Sequence, residues 1–183
     1  MNKSLTNNIK IKNITEEDLY NFWNVKFNKG MEWKKWDAPY FPIEKKSYEE
    51  FLKEKDQYIN KENRKLIEIN GEVVGTVSYY WEHKESLWLE AGISIYDHTY
   101  WGNGNGKHCL IKWINYLFNN IPLVRIGLTT WSGNEKMINL GLKLGFQIEG
   151  RLRKCRLHEG KYYDSIRMGI LREEWEELKE DVY

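Results

Sequence analysis

The 183 residues hold two cysteines, three prolines and no long apolar run. Cys109 and Cys155 are too few for a disulfide scaffold and fit a reduced, cytoplasmic protein. With so few prolines and no Pro/Gly-rich or low-complexity stretch, no linker divides the chain, and one domain over residues 1–183 is expected. No stretch approaches the roughly 18 apolar residues of a membrane span. The polar segment Met1 to Lys10 lacks the apolar core of a secretory signal. Neither sign of charge dominates: 28 Lys+Arg face 27 Asp+Glu, which argues against a nucleic-acid partner and against a disordered, highly charged chain. His83, His98, His108 and His158 show no metal-ligand spacing, so no metal is expected. Aromatic residues are plentiful, at 15% with 9 Trp and 12 Tyr, enough for aromatic-lined clefts as well as a core.

The pattern reads as α+β. Ile9, Ile11 and Ile14 mark a short strand. Thr15 with Asp18, and Ser47 with Glu50, are capping boxes, the second opening a helix to about Tyr58. Lys65–Ile69 and Val73–Tyr80 flank Asn70-Gly71, a tight-hairpin signal. Leu87 to Tyr96 alternates, with Leu87, Leu89, Ala91, Ile93 and Ile95 on one face and Trp88, Glu90, Gly92, Ser94 and Tyr96 on the other. Cys109, Leu110, Trp113, Ile114, Leu117 and Phe118 form the buried stripe of a helix. Val124–Thr130 is a short strand, Asn134 caps a helix that stops at Gly145, and a hairpin turns at His158-Glu159-Gly160 before a closing acidic helix.

The sharpest motif is Trp101-Gly102-Asn103-Gly104-Asn105-Gly106-Lys107, after a strand and before a helix. Alternate glycines let the backbone approach a ligand, and the first-turn N–H groups with the helix dipole behind them suit a pyrophosphate. A plain flexible turn is the alternative. A Walker A loop would need Gly in place of Trp101 and Ser or Thr in place of His108. A dinucleotide fingerprint would need an acidic residue ending the next strand, where Thr129-Thr130-Trp131-Ser132-Gly133 stands.

A third reading rests on resemblance. Leu89-Glu90-Ala91-Gly92-Ile93, Tyr100 through Gly106, Asn134 with Lys143-Leu144-Gly145-Phe146, and Gly160-Lys161-Tyr162-Tyr163-Asp164 followed by Arg167-Met168 resemble the GNAT superfamily of acyl-CoA N-acetyltransferases. Within it the chain is similar to the RimJ/RimL-like branch of ribosomal-protein and spermidine acetyltransferases. The resemblance implies a mixed, mostly antiparallel twisted sheet of about seven strands flanked by helices. It implies acetyl transfer from acetyl-CoA to an amine by direct attack. The pyrophosphate would lie on Trp101 to Lys107 and the pantetheine arm along Ile93, Ser94 and Ile95, where two strands part and Gly92 suits a bulge. Asn134 would contact the coenzyme, although a helix N-cap explains it equally.

By the same resemblance Glu90 is the base, acting through a water, and the N–H near Ile95 the oxyanion donor. Its plain alternative is a solvated strand carboxylate. Many members place a Tyr acid four residues before the Gly of Leu-Gly-Phe; here that residue is Gly141, which leaves Ser132 or solvent to protonate the thiolate. Trp33, Trp36, Trp81 and Trp88, with Tyr79, would form an aromatic acceptor wall. Arg151, Arg153, Lys154 and Arg156 stand where the spermidine branch is acidic, which favours a peptide N-terminal amine or small amine over a polyamine. A coenzyme-sensing module without turnover and a polyamine acetyltransferase are the alternatives, and a homodimer stays open.

Overall fold

The computed structural model describes residues 8–182. The reading of the N-terminus as lacking a signal therefore rests, for Met1 to Asn7, on residues outside those described.

Seven strands form one sheet in the order β1-β2-β3-β4-β5-β7-β6: β1 Ile9–Lys12, β2 Arg64–Ile69, β3 Glu72–His83, β4 Trp88–Ile95, β5 Arg125–Trp131, β6 Gln147–His158 and β7 Lys161–Leu171. Every neighbouring pair is antiparallel except β4–β5. The helices are α1 Leu19–Trp23, α2 Tyr48–Leu52, α3 Asn105–Asn120, α4 Glu135–Lys143 and α5 Arg172–Val182. The Asn70-Gly71 turn joins β2 to β3 with both residues at positive φ, 53° and 89°, as a tight right-twisted hairpin requires.

Two apolar clusters sandwich the sheet. On one face lies the α3 stripe, whose Cys109, Leu110, Trp113, Ile114 and Leu117 are fully buried against Val77, Leu89, Ile126 and Met168. Burial pushes the Cys109 thiol up to about 12, so it stays a neutral core group. On the other face α1, α2 and the segment between them pack Phe22, Phe27, Trp33 and Phe51 over Leu66 and Tyr96. α2 ends at Leu52, short of the expected Tyr58. Phe51 and Tyr58 stack at 5.0 Å and both meet Phe22 edge-on, and the chain breaks into a 3-10 turn at Lys55–Gln57 that accompanies that packing.

β4 pairs with β3 along its length but with β5 only at Glu90↔Gly127 and Ala91↔Leu128. Beyond Ala91 the two parallel strands part. The divergence begins at Gly92, but no bulge sits there: Gly92 stays in register with Ser78, and the β3–β4 irregularity lies between Trp81 and His83.

Candidate active site

A cleft of about 630 Å³ opens over this divergence. Its floor includes Ser78 and Tyr80 of β3, Gly92 to Ile95 of β4 and Thr129 of β5. The Tyr96 N–H bonds to the Val74 carbonyl on β3. By strand alternation the backbone groups of Ile93 and Ile95 turn the other way, into the gap. The Ile95 carbonyl is taken by the Trp101 indole N–H at 2.9 Å, while the amides of Ile93 and Ile95 face the slot left by β5.

At the slot's end, α3 begins inside the glycine loop, at Asn105 rather than after Lys107. Gly104 is its N-cap at φ 77°, and Gly102 lies at φ 88° with open space where a side chain would stand. Gly102, Asn103, Gly104 and Lys107 are exposed. Asn105 is instead turned inward, its amide donating to the Tyr100 carbonyl at 3.0 Å, so it closes the loop from beneath. Gly106 fits against Leu140 and Ile95. An exposed helix N-terminus at the end of a backbone-lined slot fits an extended ligand with an anionic end.

Asn134 does cap α4, accepting the Met137 N–H at 3.1 Å, and its amide donates to the Trp36 carbonyl at 2.9 Å. The Trp131 indole donates to that same carbonyl at 2.9 Å. These bonds fix the loop carrying Trp33 and Trp36 over the cleft. The Lys136 ammonium then lies between the rings of Trp36 and Trp101, 4.2 and 4.8 Å from their centroids, linking that loop to the glycine loop.

Glu90 is 2% exposed, beneath the cleft floor. Thr129 Oγ1 donates to its Oε2 at 2.7 Å, Trp88 Nε1 to its Oε1 at 3.3 Å, and Arg167 stands 3.8 Å away while pairing with Glu82. Burial raises the Glu90 pKa above the ordinary carboxylate value; the Thr129 and Trp88 donors and Arg167 oppose that rise. Room for the carboxylate comes from Gly127, its partner across β5, where a Cβ would overlap the Glu90 side chain. Thr129 lines the cleft and bonds to Glu90, so it connects the two; Tyr80 lines the cleft beside it.

Four expectations change. Trp81 shares its face with Tyr79, which it meets edge-on at 5.6 Å, and packs into the α3 core; Tyr80 is the aromatic of β3 that faces the cleft. Trp88, 38% exposed, buttresses Glu90 rather than walling the cleft. Ser132 accepts the Asp164 N–H at 2.9 Å and returns its own N–H to the Asp164 carbonyl, which makes it a turn clamp outside the cleft lining. Of the basic stretch on β6 only Arg156 reaches the cleft: Arg151 pairs with Asp164, and a bulge between Leu152 and Arg156, with Lys154 at φ 53°, swings Arg156 inward. Gly141 carries no hydroxyl, and a Cβ there would press on Met168 at 2.8 Å.

Gly127, Thr129, Tyr80 and Lys26 were not singled out by sequence reasoning. A lone glycine inside the strand pattern of Val124–Thr130 is the signal that could have found Gly127, since such a residue marks close approach of another group.

Comparison with known proteins bears on this geometry. Residues 8–147 match the family model described as an acetyltransferase (GNAT) domain. The chain is 27% identical over 142 residues to the SPbeta prophage-derived N-acetyltransferase YokL of Bacillus subtilis, covering 76% of this chain and 78% of that protein. It is 29% identical over 133 residues to the spermidine N(1)-acetyltransferase of Escherichia coli, covering 70% and 71%. The fold superposes on the spermidine N-acetyltransferase of Vibrio cholerae solved with CoA and spermine, with a TM-score of 0.75, 20% identity and 91% and 97% coverage. With a seven-stranded mixed sheet that parts at β4 and β5 beside a glycine-capped helix, the chain belongs to the GNAT family and is an N-acetyltransferase.

Proposed function

We propose that the chain transfers an acetyl group from acetyl-CoA to a primary amine, either a peptide N-terminal amine or that of a small molecule, with Glu90 as the ultimate proton acceptor. The observation carrying this reading is the buried Glu90 carboxylate, bonded to a cleft-facing Thr129, at the last residue pairs before β4 and β5 part.

Bound acetyl-CoA supplies the thioester carbonyl that the amine attacks. The first-turn amides of α3 hold its diphosphate and the Ile93 and Ile95 backbone its extended arm. The amine arrives as an ammonium and must lose a proton first. Thr129 takes that proton as it passes its own to Glu90 Oε2. Negative charge developing on the carbonyl oxygen falls to the Ile95 N–H; when the tetrahedral carbon collapses the C–S bond breaks, the acetyl group stays on nitrogen, and the thiolate leaves as CoA, taking up through solvent the second proton that the nitrogen sheds. Holding both reactants in one cleft accounts for much of the acceleration.

A thiol-release assay with acetyl-CoA against N-terminal peptides, amino acids, aminoglycosides and polyamines tests this. Turnover of at least one amine is expected; acetyl-CoA binding with none turned over points to a sensing module. In the same assay kcat/KM rises with pH as Glu90 loses its proton, with an acid limb above the ordinary glutamate value because burial raises that pKa. Thr129→Val removes a donor to the charged form and therefore moves the limb to still higher pH. An unmoved limb means another group titrates.

A further inference from the structure

Among the described residues five cations and one carboxylate line the cleft. Lys26 lies just after α1, Arg64 opens β2, and Arg156 sits at the β6 bulge. Among the described residues none of them forms an ion pair. Lys34 and Lys136 also line the cleft, but the Lys34 ammonium is held by the Asp37 and Ala38 carbonyls at 2.7 and 3.1 Å, and Lys136 lies between the rings of Trp36 and Trp101. Asp37 is the one carboxylate among the lining residues, and it is exposed.

Lys26 is the most confined of the three. Its Nζ sits 5.2 to 5.8 Å from the ring centroids of Phe22, Phe27, Tyr58 and Tyr96. Glu54 is the other acid near it, and that carboxylate is bound by Lys46 at 2.5 Å. Burial, reinforced by Arg64 and Lys46 and opposed by Asp37 and Glu54, lowers the Lys26 pKa to about 8. The Tyr96 hydroxyl is bonded to Thr76 at 2.8 Å, and burial raises the pKa of Tyr58 and Tyr96, so both rings are neutral. Arg156 lies over Tyr40 and Phe41, 4.9 and 5.5 Å from their centroids, with its buried Nε lacking any hydrogen-bond partner. Half-buried cations without counterions are costly, and an anion entering the cleft relieves that cost.

We propose that Lys26 and Arg64, with Arg156 adding positive charge from the β6 side of the cleft, select the acceptor: the preferred substrate is an amine whose own molecule carries a carboxylate roughly 10 Å from the nitrogen. This rests on the N-acetyltransferase reading above, with Glu90 marking where the amine reacts. The spacing follows from the sheet. Arg64 pairs with Ser78 and Ser78 with Gly92, two strand separations of about 4.8 Å, and Glu90 lies two residues, about 7 Å, along β4. The long side chains of Arg64 and Lys26 shorten that diagonal. Ten ångströms spans about three residues of extended peptide, which places the carboxylate on the side chain of the third residue. A free α-amino acid is too short to reach, and a polyamine has the wrong sign.

The test uses acetyl-CoA with the amidated tripeptides Ser-Ala-Glu, Ser-Ala-Gln and Ser-Ala-Lys, and spermidine, in wild type, Lys26→Met, Arg64→Met and Arg156→Met. Wild type should favour the Glu peptide over the Gln peptide by about tenfold in kcat/KM, mainly through KM. Each Met variant should shrink that preference while leaving the rate on the Gln peptide within about twofold. In wild type the preference should weaken as pH rises through 8 and Lys26 loses its charge, and Lys26→Arg should keep it there. Faster turnover of spermidine or the Lys peptide, turnover of none of the peptides, or an unchanged preference in the Met variants overturns the proposal. Acetyl-CoA affinity, titrated separately, isolates the underlying reading: if the coenzyme binds and any amine is acetylated, that reading stands even when the acidic preference fails.

Discussion

Replacing Glu90 with Gln lowers kcat/KM by about 10²-fold or more, the usual contribution of a positioned base, while acetyl-CoA affinity stays within about twofold. The amide keeps an oxygen to accept from Thr129, so the fold around the site persists. What it loses is the capacity to hold the proton released by the ammonium. Since the proposed coenzyme contacts run along the Ile93–Ile95 backbone and the α3 terminus, away from the Glu90 side chain, binding and turnover should separate. The loss should diminish with acceptors of low pKa, which arrive already deprotonated. A Glu90→Gln enzyme with unchanged kcat/KM removes Glu90 from the mechanism.

Gly127→Ala should cost about as much activity without touching a polar group. Its Cβ would stand where the Glu90 carboxylate now lies, forcing that side chain off Thr129 and Trp88. Overpacking of this kind costs about 1–3 kcal/mol, which lowers Tm by several degrees. The two changes act on one group, so adding Glu90→Gln to Gly127→Ala should reduce kcat/KM little further; additive losses would mean that the glycine serves something other than Glu90.

Local chemistry made much of the fold readable. Asn70-Gly71 dictates a tight turn, the α3 stripe repeats at helical spacing, and Asn134 caps a helix as its side chain allows. The glycine loop stands out because three glycines in five residues before a helix have few other uses. Elsewhere the pattern underdetermines the structure. β3 carries aromatics on both faces, so Tyr79, Tyr80 and Trp81 give no parity, and only pairing with β4 turns Tyr80 to the cleft. Arg156 reaches the cleft through two extra residues in a bulge that no single residue announces. Ser132 looks like a free hydroxyl in sequence, but the return of β7 beside it fixes it to Asp164. Lys26 carries no signal in the sequence, because its confinement comes from Phe22, Phe27, Tyr58 and Tyr96, which only the tertiary fold gathers around it.

The central claim is that the amides opening α3 and the gap between β4 and β5 hold the coenzyme. Calorimetric titration with acetyl-CoA measures this most directly. The account predicts one site per chain with a Kd tighter than about 100 μM, in the ordinary range for an enzyme's substrate, and no binding of NAD. Gly104→Val, which forces a β-branched residue to φ 77°, should weaken it at least tenfold. Absence of heat at millimolar acetyl-CoA, or saturable binding of NAD in its place, would contradict the account.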